Sequence, residues 1–426
     1  MDEMFLHLDE PGRPLVVHVE VRVDRSLDET RLRNAVRDAA GRHPLARARL
    51  QPWTSTSKTY EWVVDDALQL DPLRVVDGAD TESLDAVRSD FFSRAIPLFE
   101  SPPFRVLLHR DAAGDSVLLA ANHAGCDGIG ALRLLQSVVR AYASVPDPTV
   151  DVAPAEAHRL AVPESDGRGL GGRVDDARFG LKQVAQARSR LTKVAPVDGA
   201  PGPGYRVYSM AMPVAPLVAS PVRRRADATV NDVLLAAVHR SIDRWNRDHH
   251  SRVGRISIGM PVNARPEAWS NDFVGNLITS EMVATLTGQR HSPEACVAAV
   301  AAWTDAAKRR GSGAMLAAQN KGWGGRVSHR RALSPVVRVL AGLMSGTAAV
   351  SNLGLIAPDW VVADDLAVRE LWFSPPAFGA DLAVGAASFG DTLRLTLRYV
   401  PGLFSPAAAT DYAALLRHEI EALSEP

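Results

Sequence analysis

The chain has 426 residues, 46% apolar and 23% charged, enough to bury a sizeable core and too many for one ordinary domain, so two domains are expected. A formal net charge of -1 excludes attraction to nucleic acid or an anionic bilayer through global charge, so any partner is recognised locally. Two cysteines, Cys126 and Cys296, exclude a disulfide framework and a multi-thiolate metal site, and fit a reducing, cytoplasmic setting.

The start, Met1 to His7, lacks the basic and apolar run of a secretory signal, and no apolar stretch is long enough to span a bilayer. The longest, around Val336 to Val350, carries Arg338 and reads as a buried helix passing into a strand. Residues 15–23 alternate, with Val17, Val19, Val21 and Val23 on one face and His18, Glu20 and Arg22 on the other, predicting a half-buried strand. Ser26 with Glu29 reads as a capping box, and Leu32, Val36 and Ala39 continue a helical stripe up to Pro44. Phe104 to His109 and Ser116 to Asn122 are apolar runs separated by residues 111–115, a hairpin pattern that places His123 just past a strand end. Asp127 suits the N-cap of the next helix, whose Ile129, Leu132, Leu135 and Val139 recur at helical spacing.

From about 146 to 172 and from 195 to 204 the chain is rich in Pro, Gly, Asp and Ser around a basic helical pattern, predicting an interdomain crossing. The boundaries expected are 1–170, a 171–204 linker with a helix, and 205–426. The second half opens with a strand near Tyr205 to Met212 and a helix started by Thr229. Strands at Ile256 to Met260 and Leu277 to Ala284 follow, then a helix from about Pro293 and a strand at Ala348 to Asn352. A final hairpin pairs Leu382 to Phe389 with Leu393 to Val400, before a closing helix from about Pro406. Strands and helices intermix in both halves, the pattern of an α/β (α+β) class.

The chemistry lies on the strand-to-helix corner. Histidine has the unperturbed pKa nearest neutrality, so His123 suits removal of a proton during attack on an acyl group. Ala124 and Gly125 allow close approach, Asp127 can brace the loop through a buried ion pair, and Gly128 suits a tight turn into the helix. Without context the string is weak, because a lone His near an apolar strand is more often a satisfied structural residue.

The segment Asn122 to Gly128 resembles the His-His-x-x-x-Asp-Gly motif of the chloramphenicol-acetyltransferase-like superfamily, which includes nonribosomal-peptide condensation domains, polyketide-associated acyltransferases and wax ester synthase/diacylglycerol acyltransferases. Arg42 to Arg47 is similar to its Arg-His-x-x-Leu-Arg element, and Thr229 to Ala236 to the helix opening its second half. Pro261 to Pro266 and Phe273 to Asn276 resemble its Arg-Pro and Gly-Asn elements, and Val350 to Gly354 another strand. The matches occur in the family's order and cover nearly the whole chain. The resemblance implies two subdomains in a V-shaped arrangement with a tunnel between them, where a donor thioester and an acceptor meet. It implies that His123 is catalytic, that Asp127 is structural and paired with Arg265, that Gly128 is a backbone requirement, and that Asn352 is a candidate oxyanion donor at the tunnel. The motif's first His is replaced by Asn122, and the plant-type Asp-Phe-Gly-Trp-Gly signature is absent, residues 378–381 being a distant echo.

Other features are weighed and set aside. Cys126 is a poor nucleophile, three residues from its base on the same corner. Arg223 to Arg225 could grip phosphates of coenzyme A or a phosphopantetheine arm, but a solvated charge run is the commoner meaning. Lys182, Arg188, Arg190 and Lys193 fit an exposed helix as well as a carrier-protein contact. His249 and His250 lack acidic or Cys partners at ligand spacing, so no metal is expected, and the glycines around Trp323 suggest a flexible loop.

The function expected is direct acyl transfer from a thioester to a hydroxyl or amine acceptor, giving an ester or amide. No tightly bound cofactor is expected; acyl-CoA or a phosphopantetheine-linked acyl thioester serves as co-substrate, delivered free or on an acyl or peptidyl carrier protein. The alternative is a catalytically silent module that recruits a carrier protein or a tailoring enzyme.

Overall fold

The computed structural model describes residues 4–10, 12–52, 59–78, 83–100, 102–148, 189–265, 272–310, 335, 338, 345–357 and 366–424. The first sheet has five strands in the order β11-β1-β6-β5-β4. These are β1 (Val16–Val23), β4 (Leu73–Asp77), β5 (Phe104–Arg110), β6 (Ser116–Asn122) and β11 (Val368–Ser374). The short pair β2 (Ala48–Leu50) and β3 (Trp62–Val64) forms a separate ribbon. Helices α2 (Glu29–Arg42) and α4 (Gly128–Ala143) cover one face, where Leu32, Val36, Leu135 and Val138 meet Val17, Val19, Val117 and Leu119 in a single buried cluster.

The half-buried reading of β1 is corrected here. His18 and Glu20 are buried as well, because α3 (Leu84–Ser93) covers the second face with Phe91 and Phe92, and its Arg88 neutralises Glu20. Alternation in the sequence registered the two faces but not that both have a lid. The cap of α2 also moves. Asp28 accepts from the Arg31 amide, because the Leu27 amide is held by Asp115 and the Asp28 amide by the Tyr142 hydroxyl, so the chain cannot turn helical at Ser26.

The second sheet has six strands in the order β7-β13-β12-β10-β8-β9. They are β7 (Arg206–Pro213), β8 (Ile256–Asn263), β9 (Ile278–Thr285), β10 (Ala348–Ile356), β12 (Leu382–Phe389) and β13 (Thr392–Tyr399). Helices α7 (Val230–Asp248), α8 (Pro293–Arg310) and α9 (Pro406–Ala422) contribute Leu235, Ile242, Val297, Val300, Tyr412 and Leu416 to its core. Thr229 caps α7 through a reciprocal pair with Asp232. Between β7 and α7 lie two short helices, α5 (Ala215–Ala219) and α6 (Pro221–Arg225).

The two sheets are stitched together. Strand β11, inside the segment expected to build the second subdomain, pairs antiparallel with β1 from His18↔Ser374 to Val23↔Val368. Arg398 of β13, fully buried, donates to the carbonyls of Val16 and Pro14 at 2.7 and 3.3 Å. Of the basic helical pattern near Leu181 to Val194, residues 181–188 lie outside the described residues, as does most of the apolar stretch from Val336. Residues 189–194, with Arg190 and Lys193, are not helical as expected, because the backbone of Arg190 and Thr192 is bound to Arg255 in an extended bridge.

Candidate active site

Strand pairing sets the corner. Asn122 ends β6 opposite Val16, and the next amide, of His123, donates to the Leu15 carbonyl at 2.9 Å. The amides of Gly125 and Cys126 then fold back onto the Asn122 carbonyl at 3.0 and 3.1 Å, closing a tight turn before α4. Asp127 is the N-cap of α4, accepting from the Gly130 amide at 2.8 Å.

That carboxylate also reaches across to the second half. Arg265 meets it in a two-pronged pair, Nη1 to Oδ2 and Nη2 to Oδ1, both 2.8 Å, with neither side chain exposed. The Leu277 amide adds a third bond to Asp127 Oδ2 at 2.7 Å, and the Asp127 amide donates to the Gly275 carbonyl at 3.1 Å. Nη2 of Arg265 also donates to the carbonyls of Phe273 and Gly275 and Nη1 to Asn263 Oδ1, while the buried Nε has no partner among the described residues. The pair expected between Asp127 and Arg265 is therefore present, and it pins residues 273–277 against the motif.

His123 is 6% exposed, and burial pushes its pKa down to about 4, against the negative charge of Asp127 and the carbonyl oxygens of His123 itself and Cys126, which favour the protonated ring. Among the described residues Nε2 has no hydrogen-bond partner. One face of the ring is covered by Phe5 of α1 (Met4–Leu8), stacked at 4.2 Å between centroids and 11° between planes, with Phe378 edge-on behind it. The described residues thus show a covered face and an unpartnered edge rather than the outline of a tunnel.

Gly128 is required by space. A Cβ there would lie 2.9 Å from the Phe373 ring of β11 and 3.2 Å from Leu353, so the crossing strand sets the residue type more than a turn does. Asn352 stands at an irregularity of β10, where its Oδ1 accepts from the Gly354 amide at 2.8 Å. Asn122 donates to Asp9 at 3.2 Å and accepts from the Ala124 amide at 3.0 Å, filling the motif's first position by tying the N-terminal segment to the turn. Cys126 is buried, its thiol pKa is raised by desolvation, and its Sγ faces the Asp127 carbonyl, so it stays a protonated filler.

The remaining elements are structural. His43 bonds Ser137 Oγ at 2.7 Å inside the α2/α4 contact. Arg223 donates to the carbonyls of Val218 and Ala228, closing its own turn and leaving no fork for phosphate. His249 bonds the Trp245 carbonyl, and no group able to hold a metal occurs among the described residues. Lys182, Arg188 and the glycines around Trp323 lie outside the described residues. No helix of the described residues is long and apolar enough to cross a membrane.

Two neighbours of His123 had no role in the sequence reading. Asn276, 3% exposed, donates to the His123 carbonyl at 2.6 Å and lies 3.5 Å from Nδ1. Its signal was present in the Gly-Asn element, although nothing local says which side chain it serves. Phe5 gave no signal, because an isolated aromatic ahead of the first strand has no pattern to join.

No family model matches the chain. Two proteins of Mycobacterium tuberculosis, Uncharacterized protein MT2362 and Uncharacterized protein Rv2305, are each 34% identical over 430 residues, covering 98% of this chain and 97% of theirs. Among solved structures, the first condensation domain of the calcium-dependent antibiotic synthetase, in complex with a substrate analogue, superposes with a TM-score of 0.70 at 14% identity, over 100% of this chain and 95% of that one. The X-domain from teicoplanin biosynthesis, also solved in a complex with OxyB, gives 0.60 at 18% identity, over 99% and 93%. At such identities the likeness is one of fold, and it spans both halves.

Proposed function

Because the chain belongs to one family with the mycobacterial proteins MT2362 and Rv2305, within the condensation-domain acyltransferase superfamily, we propose that it transfers an acyl group from a thioester to a hydroxyl or amine, with His123 as general base. The observation that carries this reading is the corner itself: His123 lies just past the end of β6, beside the buried Asp127–Arg265 pair that joins the two halves, and no hydrogen bond among the described residues reaches its Nε2. Nε2 takes the acceptor's proton as its oxygen or nitrogen attacks the thioester carbonyl. The new C–O or C–N bond forms, the C–S bond breaks, and the imidazolium returns its proton to the leaving thiolate. No acyl-enzyme is needed, and the buried thiol of Cys126 offers none. The charge of Asp127 favours the transient imidazolium from behind the loop, without touching substrate. Asn352, whose Oδ1 is spent on Gly354, keeps an NH2 end to donate to the oxyanion.

In this reading the donor is an acyl-CoA or a phosphopantetheine arm on a carrier protein, no cofactor is held tightly, and both substrates reach the Nε2 edge along a channel between the halves. The test is intact-mass screening of acyl thioesters against amines and alcohols, with and without a loaded carrier protein. His123→Ala should lower turnover on the order of 10²-fold to 10⁴-fold while leaving the fold intact, and near-normal turnover would end the proposal.

A second reading is favoured by two observations, the likeness to an X-domain solved with OxyB and the replacement of the motif's first His by Asn122. Here the chain is a recruiting module. It predicts tight binding of a carrier or tailoring protein that His123→Ala leaves unchanged, with no product from any thioester and acceptor pair.

A further inference from the structure

The imidazolium that forms on His123 during proton transfer has to exist where burial makes a charge costly. The charged groups bearing on the ring are Asp127, in its own turn, which favours the proton, and Arg398 of β13, which opposes it. Arg265, across the interface, is neutralised by its two-pronged bond to Asp127. One further group packed on the ring brings no charge. Phe5 lies nearly parallel over the imidazole, 4.2 Å between centroids and 11° between planes, well inside the reach of the attraction between a cation and an aromatic face. Its placement is held from both sides. The Asp9 amide donates to the Phe5 carbonyl at 2.9 Å, and the Asp9 carboxylate accepts from the Leu15 amide at 2.8 Å and from Asn122 Nδ2 at 3.2 Å. Asn122, which stands where the motif has its first His, thus ties the strap carrying Phe5 to the position beside the base. At the far end Phe378 meets Phe5 edge-on, at 5.4 Å and 69°, with a backbone φ of 24° that a bulky side chain rarely adopts. A ring kept only to fill a core needs neither a strained partner nor an anchor on the residue next to the base.

We propose that Phe5 is a positioning residue for His123: held by the bond between Asp9 and Asn122, its π face stabilises the imidazolium that the ring becomes when it takes the acceptor's proton. The proposal rests on His123 being the base, but the contact it concerns can be measured without any substrate. It also gives the replacement of the motif's first His a role, since the one amide of Asn122 both donates to Asp9 and accepts from the Ala124 amide.

Alanine cannot isolate this effect, because it removes the π face and admits water to the ring at once. The experiment therefore places mono-, di- and trifluorinated phenylalanine at position 5 of the full chain, which keeps the shape and the cover while weakening the negative face step by step. The ring is titrated in the folded, histidine-labelled chain by NMR, with His123→Gln to assign its signal. Each added fluorine should move the His123 titration and the acid limb of kcat downward, by about one pH unit over the series, and lower kcat at neutral pH by about threefold to tenfold in total. Phe5→Leu, an apolar cover without a π face, should behave as the trifluorinated protein does. In an Asp9→Ala background the steps should shrink, because the strap loses its hold. A flat titration and a flat kcat across the folded fluorinated series overturn the proposal, and full steps in the Asp9→Ala background overturn the part given to the anchor. If the titration steps as stated while His123→Ala keeps its turnover, the base assignment falls and the stabilising contact stands.

Discussion

Of two buried arginine–carboxylate pairs, Arg265–Asp127 joins the halves of this molecule, while Arg88–Glu20 lies within the first half and touches the second through Ser209. Arg265 holds Asp127 with two 2.8 Å bonds, and Arg88 holds Glu20 with bonds of 2.6 and 2.7 Å while also reaching Ser209 of β7 at 2.9 Å. Their chemistry and burial are nearly the same, yet their neighbours differ. Around Asp127 the bonds order residues 275–277 and, through Asn276, an imidazole with an open nitrogen. Around Glu20 they order Asp85, Ser209 and the Trp372 ring, where the Asp85 carboxylate and the Ser209 hydroxyl are already bonded to each other and to Arg88. A buried ion pair is therefore no mark of function by itself. What marks the site is the titratable group whose geometry the pair controls.

The largest effect that would break this comparison comes from removing one partner. Arg265→Ala and Asp127→Ala should each cost about 3–5 kcal/mol in chemical denaturation, because a buried charge is left unpaired, and should lose activity per folded molecule as well. A soluble and fully stable Asp127→Ala protein would refute the role of the pair. Arg88→Ala should cost a similar amount, about 3–5 kcal/mol, but its folded fraction should keep turnover within about threefold of wild type. Loss of turnover in that variant, at full folding, would erase the distinction between the two regions.

The pH dependence sharpens it. Burial pushes His43 and His123 down to about 4 and His239 to about 3, so all three are neutral in the fold and charged when unfolded below the ordinary histidine value. The unfolded chain then binds more protons, and stability is full above about pH 6.5 and falls as the pH drops toward 4. Each imidazole steepens the fall by up to about 1.4 kcal/mol per pH unit. Activity should stay flat through neutrality and drop only near pH 4 to 5, where His123 gains its proton. His123→Gln should remove the activity limb, and His239→Gln should change only the stability curve. The smallest expected effect belongs to Phe5→Ala. Uncovering one face of the ring should change kcat/KM by about threefold to tenfold and move the His123 titration upward, toward its solvated value.

Much of this was legible in the sequence. The corner after β6, the N-cap role of Asp127, the helix start at Thr229 and the final hairpin all rest on short-range rules, and they stand where those rules put them. Gly128 was singled out for the turn, whereas its φ is not positive and what a Cβ there would meet is the Phe373 ring. Ser26 lost its capping role to Asp28 because Asp115, far along the chain, holds the preceding backbone. The ion pair to Arg265 was reachable through resemblance alone, since nothing local signals it across a sequence separation of 138.

Local rules set the corner after β6, the caps at Asp127 and Thr229 and the final hairpin, because those choices depend on neighbours within a turn or a pleat. The assembled fold, not the local pattern, sends β11 across to the first sheet, lays α3 over the second face of β1, and brings Asn276 and Phe5 to His123. Those outcomes depend on contacts across hundreds of residues, where the complementarity of two surfaces sets the partner and local pattern carries no record of it.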